Sequence, residues 1–151
     1  MKYEKLQVDL LKLMFKKSNN VIHGTIKDGR VAIGTPHFLM FVPAEKILIK
    51  FQNEPFKGLS ERFDIDQISP HYEPAKKLYT FEKTIDDVKR QVAKFQTESG
   101  KIIYMNSDFL KYFEKNATVF IRNSVDFTCV FEGDMEFAGI IFPIRVREDD
   151  E

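Results

Sequence analysis

Hydrophobic and polar positions alternate along this chain in a way that predicts one clear amphipathic helix followed by short strands. Apolar residues recur at three- and four-residue spacing from Leu6 to Met14, which predicts a helix that ends near Lys17. Runs over 21–27 and 30–34 then alternate with the two-residue period of strands. The opening segment is therefore expected to be a helix followed by antiparallel strands.

Turn residues fix where these first strands end. Asp28-Gly29 separates the two runs and is typical of a type I′ hairpin, whose central residues need positive φ angles. A third strand is predicted over 38–42, and Pro43 closes it. Helix and three-strand meander together make the first predicted unit.

The same order of elements is predicted again in the later part of the chain. Asn106 or Ser107 caps a short helix over 108–115. Strands are then expected over 118–122, 127–132 and 135–146.

Short matches in sequence support a repeat. Asp9-Leu10-Leu11-Lys12 matches Asp108-Phe109-Leu110-Lys111, and Phe41-Val42-Pro43 matches Ile141-Phe142-Pro143 at nearly the same offset. The fold class predicted is α+β, with two pseudo-symmetric helix-plus-β-meander repeats and both helices on one face of an antiparallel sheet. Residues 1–151 form a single domain in this interpretation. Its parts are repeat one (3–50), an irregular connection (51–76), repeat two (77–147) and an acidic tail (148–151).

One segment between the repeats stays ambiguous. Val88, Val92 and Phe95 have helical spacing over residues 86–96, yet the same residues fit a hairpin with a strand at 101–105. Periodicity alone leaves helix and strand open.

Net charge and cysteine content indicate which partners and which cellular compartment to expect. The chain has 23 basic and 23 acidic residues, so its net charge of zero gives no general attraction to nucleic acid. Cys129 is the single cysteine, which excludes an intramolecular disulfide and indicates a reducing compartment, the cytoplasm. We expect Cys129 to be buried in a strand. No apolar run approaches the length of a membrane-spanning helix, and no membrane association is expected.

Residue types that commonly act in catalysis or metal binding are present but scattered along the sequence. His23, His37 and His71 stand apart, without a second ligand at metal-binding spacing. The acidic pair Asp86-Asp87 has no neighbouring base or nucleophile. The sequence thus predicts a protein without cofactor, metal or enzymatic activity.

Lysines form the best organised set of charges. Lys5, Lys12 and Lys16 share one face of the first predicted helix, and Lys111 and Lys115 share one face of the second. Two interpretations stand: these lysines solubilise the outer faces of the helices, or they present a common basic surface to phosphates.

A strand, a helix and a meander used twice resemble the domain of the DNA sliding clamps, the processivity factors of replicative polymerases. The resemblance is carried by Ile103-Tyr104-Met105-Asn106 as the first strand, Asp108-Phe109-Leu110-Lys111 as the helix opening, and Ile140-Ile141-Phe142-Pro143-Ile144-Arg145-Val146 as the last strand. It implies a non-enzymatic domain whose helix lysines (Lys5, Lys12, Lys16, Lys111 and Lys115) face double-stranded DNA.

Two functions follow from this picture. The first is a clamp-like, DNA-associated accessory protein of the kind carried by a phage or other mobile element, with weak, sequence-independent DNA binding. The alternative is a protein-interaction or self-assembly module of the same fold, which associates through exposed sheet edges and has no nucleic acid partner.

Overall fold

The chain forms one antiparallel sheet in a computed structural model that describes residues 1–14, 21–26, 28–48, 72–122 and 128–147. The helical elements in these ranges are α1 (Tyr3–Met14) and two short 3-10 helices, η1 (Ala44–Lys46) and η2 (Ser107–Tyr112). The strands are β1 (Ile22–Thr25), β2 (Val31–Thr35), β3 (Phe38–Val42), β4 (Tyr72–Ile85), β5 (Val88–Thr97), β6 (Ile102–Asn106), β7 (Thr118–Arg122), β8 (Thr128–Glu132) and β9 (Glu136–Ile141).

The strand order across the sheet is β1-β2-β3-β9-β8-β7-β4-β5-β6. Beyond the end of β9, the Ile144 N–H donates to the Tyr104 carbonyl at 2.8 Å and forms an antiparallel bridge with the far side of β6. The segment after β9 therefore returns to β6, and the six strands from β9 to β6 close on themselves through this bridge.

Alternation along the strands gives the sheet two apolar faces. One face packs against α1 and η2, and its buried residues include Met40, Met105 and Ile121. The other face carries a second cluster that includes Phe41, Ile140 and Cys129. The predicted burial of Cys129 is confirmed, since its side chain is fully enclosed.

Helix α1 docks through the residues its spacing predicts. Leu6 and Leu10, one turn apart, are both buried in the main core, and full burial of each contributes about 1.5–3 kcal/mol. Val8 and Leu11 point outward and are partly exposed. Gln7 is buried although it is polar, because its side chain binds backbone groups.

The predicted fold class is wrong. The described residues form one nine-stranded antiparallel sheet with a single α-helix and short 3-10 helices, and not two helix-plus-β-meander repeats that each contribute an α-helix to the sheet face. The helix predicted over 108–115 is the 3-10 helix η2. Asn106 caps it by accepting from the Asp108 N–H at 3.0 Å, but Phe113 is already extended, so the segment never completes an α-helical turn.

Several boundaries also differ from expectation. Strand β4 begins at Tyr72, within the predicted connection, and β9 ends at Ile141, earlier than the strand predicted to 146. The acidic tail 148–151 and most of the connection lie outside the described residues. Within the described ranges, no helix has the length and apolar character required to cross a membrane.

Candidate nucleic-acid interface

Residues 72–97 form a long hairpin that resolves the ambiguous segment as a strand. Strand β4 pairs with β5 from Ala75↔Thr97 to Ile85↔Val88. Asp86 and Asp87 occupy the turn with φ angles of 50° and 63°, the left-handed conformation that a type I′ turn requires at both positions. The acidic pair is thus a turn element at the tip of the hairpin.

The outer half of this hairpin extends beyond its neighbours. In the described part of the sheet, β7 pairs with β4 only over Tyr72–Ala75, and β6 pairs with β5 over Val92–Gln96. Residues nearer the tip are therefore held in a two-stranded ribbon, in which the face with Phe81, Lys83 and Arg90 is partly buried and the opposite face is exposed.

Cross-strand register brings basic and aromatic side chains to the same face. Lys76 lies opposite Gln96, Tyr79 opposite Lys94, Phe81 opposite Val92 and Lys83 opposite Arg90, while Lys94 lies opposite Tyr104 of β6. Residues directly opposite one another in an antiparallel pair share a face. We call this surface the aromatic–basic face: Lys76, Tyr79, Phe81, Lys83, Arg90, Lys94 and Tyr104.

Side-chain contacts hold the centre of the aromatic–basic face. The Lys94 ammonium lies 5.4 Å from the Tyr79 ring centroid and 5.6 Å from that of Tyr104, within cation–π range of both. It also donates to the Tyr79 hydroxyl at 3.3 Å. Phe81 meets Tyr104 edge-on, with centroids 6.1 Å apart and an interplanar angle of 83°. Tyr79 keeps 43% of its surface exposed, so a ring remains available to a partner.

Charge is distributed unequally between the two faces of the three strands β4, β5 and β6. The aromatic–basic face carries four basic residues, and the register places no acidic residue of these strands on it. The carboxylates of the strands lie on the opposite face, where Glu82 pairs with Lys89 at 3.7 Å and Glu73 with Lys101 at 2.9 Å. The hydrogen bond from Lys101, followed by that from Ser99, lowers the pKa of Glu73.

A cleft of about 430 Å³ opens where the hairpin tip faces η2 and the β2–β3 turn. Its walls are largely apolar and include Phe38, Phe109 and Ile144. Ile85, Arg90 and Asn106 also line it. Because Arg90 lines the cleft and also belongs to the aromatic–basic face, the two features adjoin.

A hydrogen bond and an ion pair to Asp9 position η2 beside this cleft. The Tyr112 hydroxyl donates to the Asp9 carboxylate at 2.7 Å, and the Lys111 ammonium lies 3.9 Å from the same oxygen. Burial and the Asp9 carboxylate together raise the pKa of Tyr112 above its usual value. Helix α1 and η2 are therefore joined by polar contacts as well as by the core.

The lysines predicted to contact DNA lie apart from the aromatic–basic face. Lys5 and Lys12 are exposed on α1, and Lys115 is exposed after the end of η2. Lys111 is half-exposed, with its ammonium beside Asp9 and 5.1 Å from the Tyr112 ring centroid. Lys16 lies outside the described residues. DNA contact by these lysines stays a prediction.

Sequence reasoning missed the aromatic–basic face for an identifiable reason. The register of β4 against β5 shifts between Lys77 and Tyr79, so Lys76 and Tyr79 share a face although their separation is odd. The sequence nevertheless contains a signal for the hairpin. Residues alternate from Tyr79 to Ile85 and from Val88 to Lys94, and Asp86-Asp87 between these runs is a candidate two-residue turn.

Comparison with models of protein families, with curated proteins and with solved structures finds no match to this chain.

Proposed function

We propose that this protein is a non-enzymatic accessory protein that binds single-stranded nucleic acid on the aromatic–basic face. The observation that carries the proposal is the placement of Lys94 between the Tyr79 and Tyr104 rings. Proteins that bind single strands combine positive charge along the backbone path with aromatic rings on which bases stack. The aromatic–basic face supplies both on three adjacent strands.

Several features favour a single strand over a duplex. Stacking on Tyr79 requires an unpaired base, whereas a duplex would offer the face only its phosphates. The ammonium of Lys111, one of the lysines expected to contact double-stranded DNA, lies beside Asp9 of the same chain. A net charge of zero leaves little long-range attraction, so binding depends on the local surface and weakens as salt rises.

The test is a fluorescence anisotropy titration of labelled single strands of about 12 nucleotides, within the usual site sizes of such surfaces, against a duplex of the same length. We expect the single strand to bind more tightly than the duplex. Tyr79→Ala removes one stacking ring and should weaken binding by about 5- to 150-fold, the equivalent of about 1–3 kcal/mol. Lys94→Ala should reduce the logarithmic salt slope by about 0.7.

The chain offers a matched control on the same strand. Lys89 lies on β5 but on the opposite face, where it pairs with Glu82. Lys89→Ala should leave single-strand affinity and the salt slope within error of the parent protein. Equal losses from Lys89→Ala and Lys94→Ala would show that general charge, and not the aromatic–basic face, carries the binding.

A second candidate function is self-association through the edge of β4. Over Lys76–Ile85, β5 is the partner strand of β4 in the described part of the sheet, and Leu78 there is 48% exposed. An unpaired edge can accept a strand from another copy, although its lysines oppose such pairing. Light scattering during size-exclusion chromatography tests this candidate: a dimer that Leu78→Pro dissociates supports it, and a monomer at all concentrations excludes it.

A further inference from the structure

The cleft beside the hairpin tip is continuous with the aromatic–basic face through side chains that belong to both. Arg90 and Ile85 follow Lys94 and Phe81 toward the tip on the same face of the ribbon, and both line the cleft. A strand that crosses Tyr79 and Tyr104 toward the tip therefore reaches the cleft opening. This continuity suggests a role for the cleft within the same binding surface.

The size and lining of the cleft fit one nucleotide. Its volume of about 430 Å³ lies at the lower end of the range for small-molecule pockets, so the cleft is too small to hold a folded peptide segment. Phe38 and Phe109 form an aromatic part of the cleft wall, and their ring centroids are 4.5 Å apart. Arg90 places positive charge among the lining residues, where a phosphate of the same nucleotide would lie.

Acidic residues in the lining indicate which bases the cleft favours. Asp86 at the hairpin tip and Asp108 at the start of η2 both line it, and both are exposed. An ionised carboxylate only accepts hydrogen bonds, so it pairs with an exocyclic amino group and repels a carbonyl oxygen. Cytosine presents an amino group at N4, whereas thymine presents an oxygen at O4.

We infer that the cleft receives one unpaired base of a bound single strand and selects bases with an exocyclic amino group through Asp86 and Asp108. This inference rests on the proposed function. The base lies against the Phe38 and Phe109 wall, its amino group donates to a carboxylate, and its phosphate lies toward Arg90.

The experiment compares oligo(dC) with oligo(dT), each about 12 nucleotides long, by anisotropy at pH 7.5. Both are pyrimidine strands, and their bases differ at position 4, where cytosine has an amino group and thymine an oxygen. The parent protein should bind oligo(dC) about 5- to 150-fold more tightly, the range that one base contact gives. In the Asp86→Asn, Asp108→Asn double variant the preference should fall below about twofold, because an amide donates to O4 as well as accepting from N4. Asparagine suits the positive φ of position 86, and the exposed Asp134→Asn is the matched control, which should keep the preference.

Each outcome separates the inference from the proposed function. Equal affinity of the parent protein for both strands, with binding still lost in Tyr79→Ala, overturns base selection in the cleft and leaves the aromatic–basic face as the binding surface. A preference that persists in the double variant overturns the role of the two carboxylates. Absence of binding to either strand overturns both proposals.

Discussion

Replacing Gln7 by leucine should destabilise the protein, although the change makes a buried residue more hydrophobic. The Gln7 side chain is 1% exposed. Its amide nitrogen donates to the Tyr3 carbonyl at 3.1 Å and the Lys46 carbonyl at 2.9 Å, and its oxygen accepts from the Leu48 N–H at 2.7 Å. One side chain thus connects α1 to the last residue of η1 and to the segment that follows it.

The loss in free energy of unfolding depends on the backbone groups that lose their hydrogen-bond partner. The leucine variant leaves the Lys46 carbonyl and the Leu48 N–H without this partner, and an unsatisfied buried group costs about 1–3 kcal/mol. Leu48 is 62% exposed, so water reaches part of this segment and the lower part of that range applies. Burial of the added apolar surface offsets some of the loss. We expect the free energy of unfolding to fall by about 1–3 kcal/mol in total.

Urea unfolding followed by far-ultraviolet circular dichroism measures this loss, since the chain has no tryptophan. The midpoint should fall by about 0.5–1.5 M at the slopes usual for small domains. Gln91→Leu, at an exposed position of β5, is the matched control and should change stability by less than about 0.5 kcal/mol. Amide exchange of Leu48 should accelerate in the Gln7 variant. Unchanged stability together with unchanged Leu48 exchange would refute the contacts described.

Three further predictions concern single groups. Tyr112→Phe removes the hydroxyl that donates to Asp9 and should cost about 1–2 kcal/mol below pH 10. Because the folded pKa of Tyr112 is raised above its usual value of 10.0, the difference from the parent should shrink as the pH rises beyond 10 in urea titrations. The pKa of Glu73 is lowered from 4.5, chiefly by the hydrogen bond from Lys101, so its stabilising contribution is present above pH 4.5 and lost as the pH falls through the folded pKa. Melting temperatures of the parent and Glu73→Gln should therefore converge at acid pH, and a constant gap would contradict this. Cys129 is fully buried and should react with a thiol reagent only at the rate of unfolding, whereas rapid reaction in the native protein would contradict its placement.

The elements that sequence predicted well are those in which one local period dominates. Leucine spacing located α1, which spans Tyr3–Met14, within a few residues of its predicted range. Alternation with turn residues located β2 and β3. Burial of Gln7 escaped prediction because it depends on backbone groups of Lys46 and Leu48, which only the tertiary fold brings close.

The errors have physical causes of the same kind. The 108–115 segment has helical spacing and a cap, yet Tyr112 and Phe113 are buried in the core, and the chain leaves the helical path after the six residues of η2, about two turns of 3-10 geometry. The candidate site required the pairing of β4 with β5 and the register shift after Lys77. A bulge changes the phase of alternation without any fixed sequence signature, so the face shared by Lys76 and Tyr79 could not be assigned from spacing.

The strand order has a consequence for how the protein is made. Strand β3 lies inside the sheet and pairs with β9. Met40 can therefore pair with Gly139 only after the ribosome has synthesised most of the chain. At about 5–20 residues per second, a ribosome exposes the edge of β3 and its apolar side chains for several seconds before that partner emerges. Pairing between such distant segments also slows folding itself. Protection of β3 by a chaperone during translation should therefore raise the yield of folded protein.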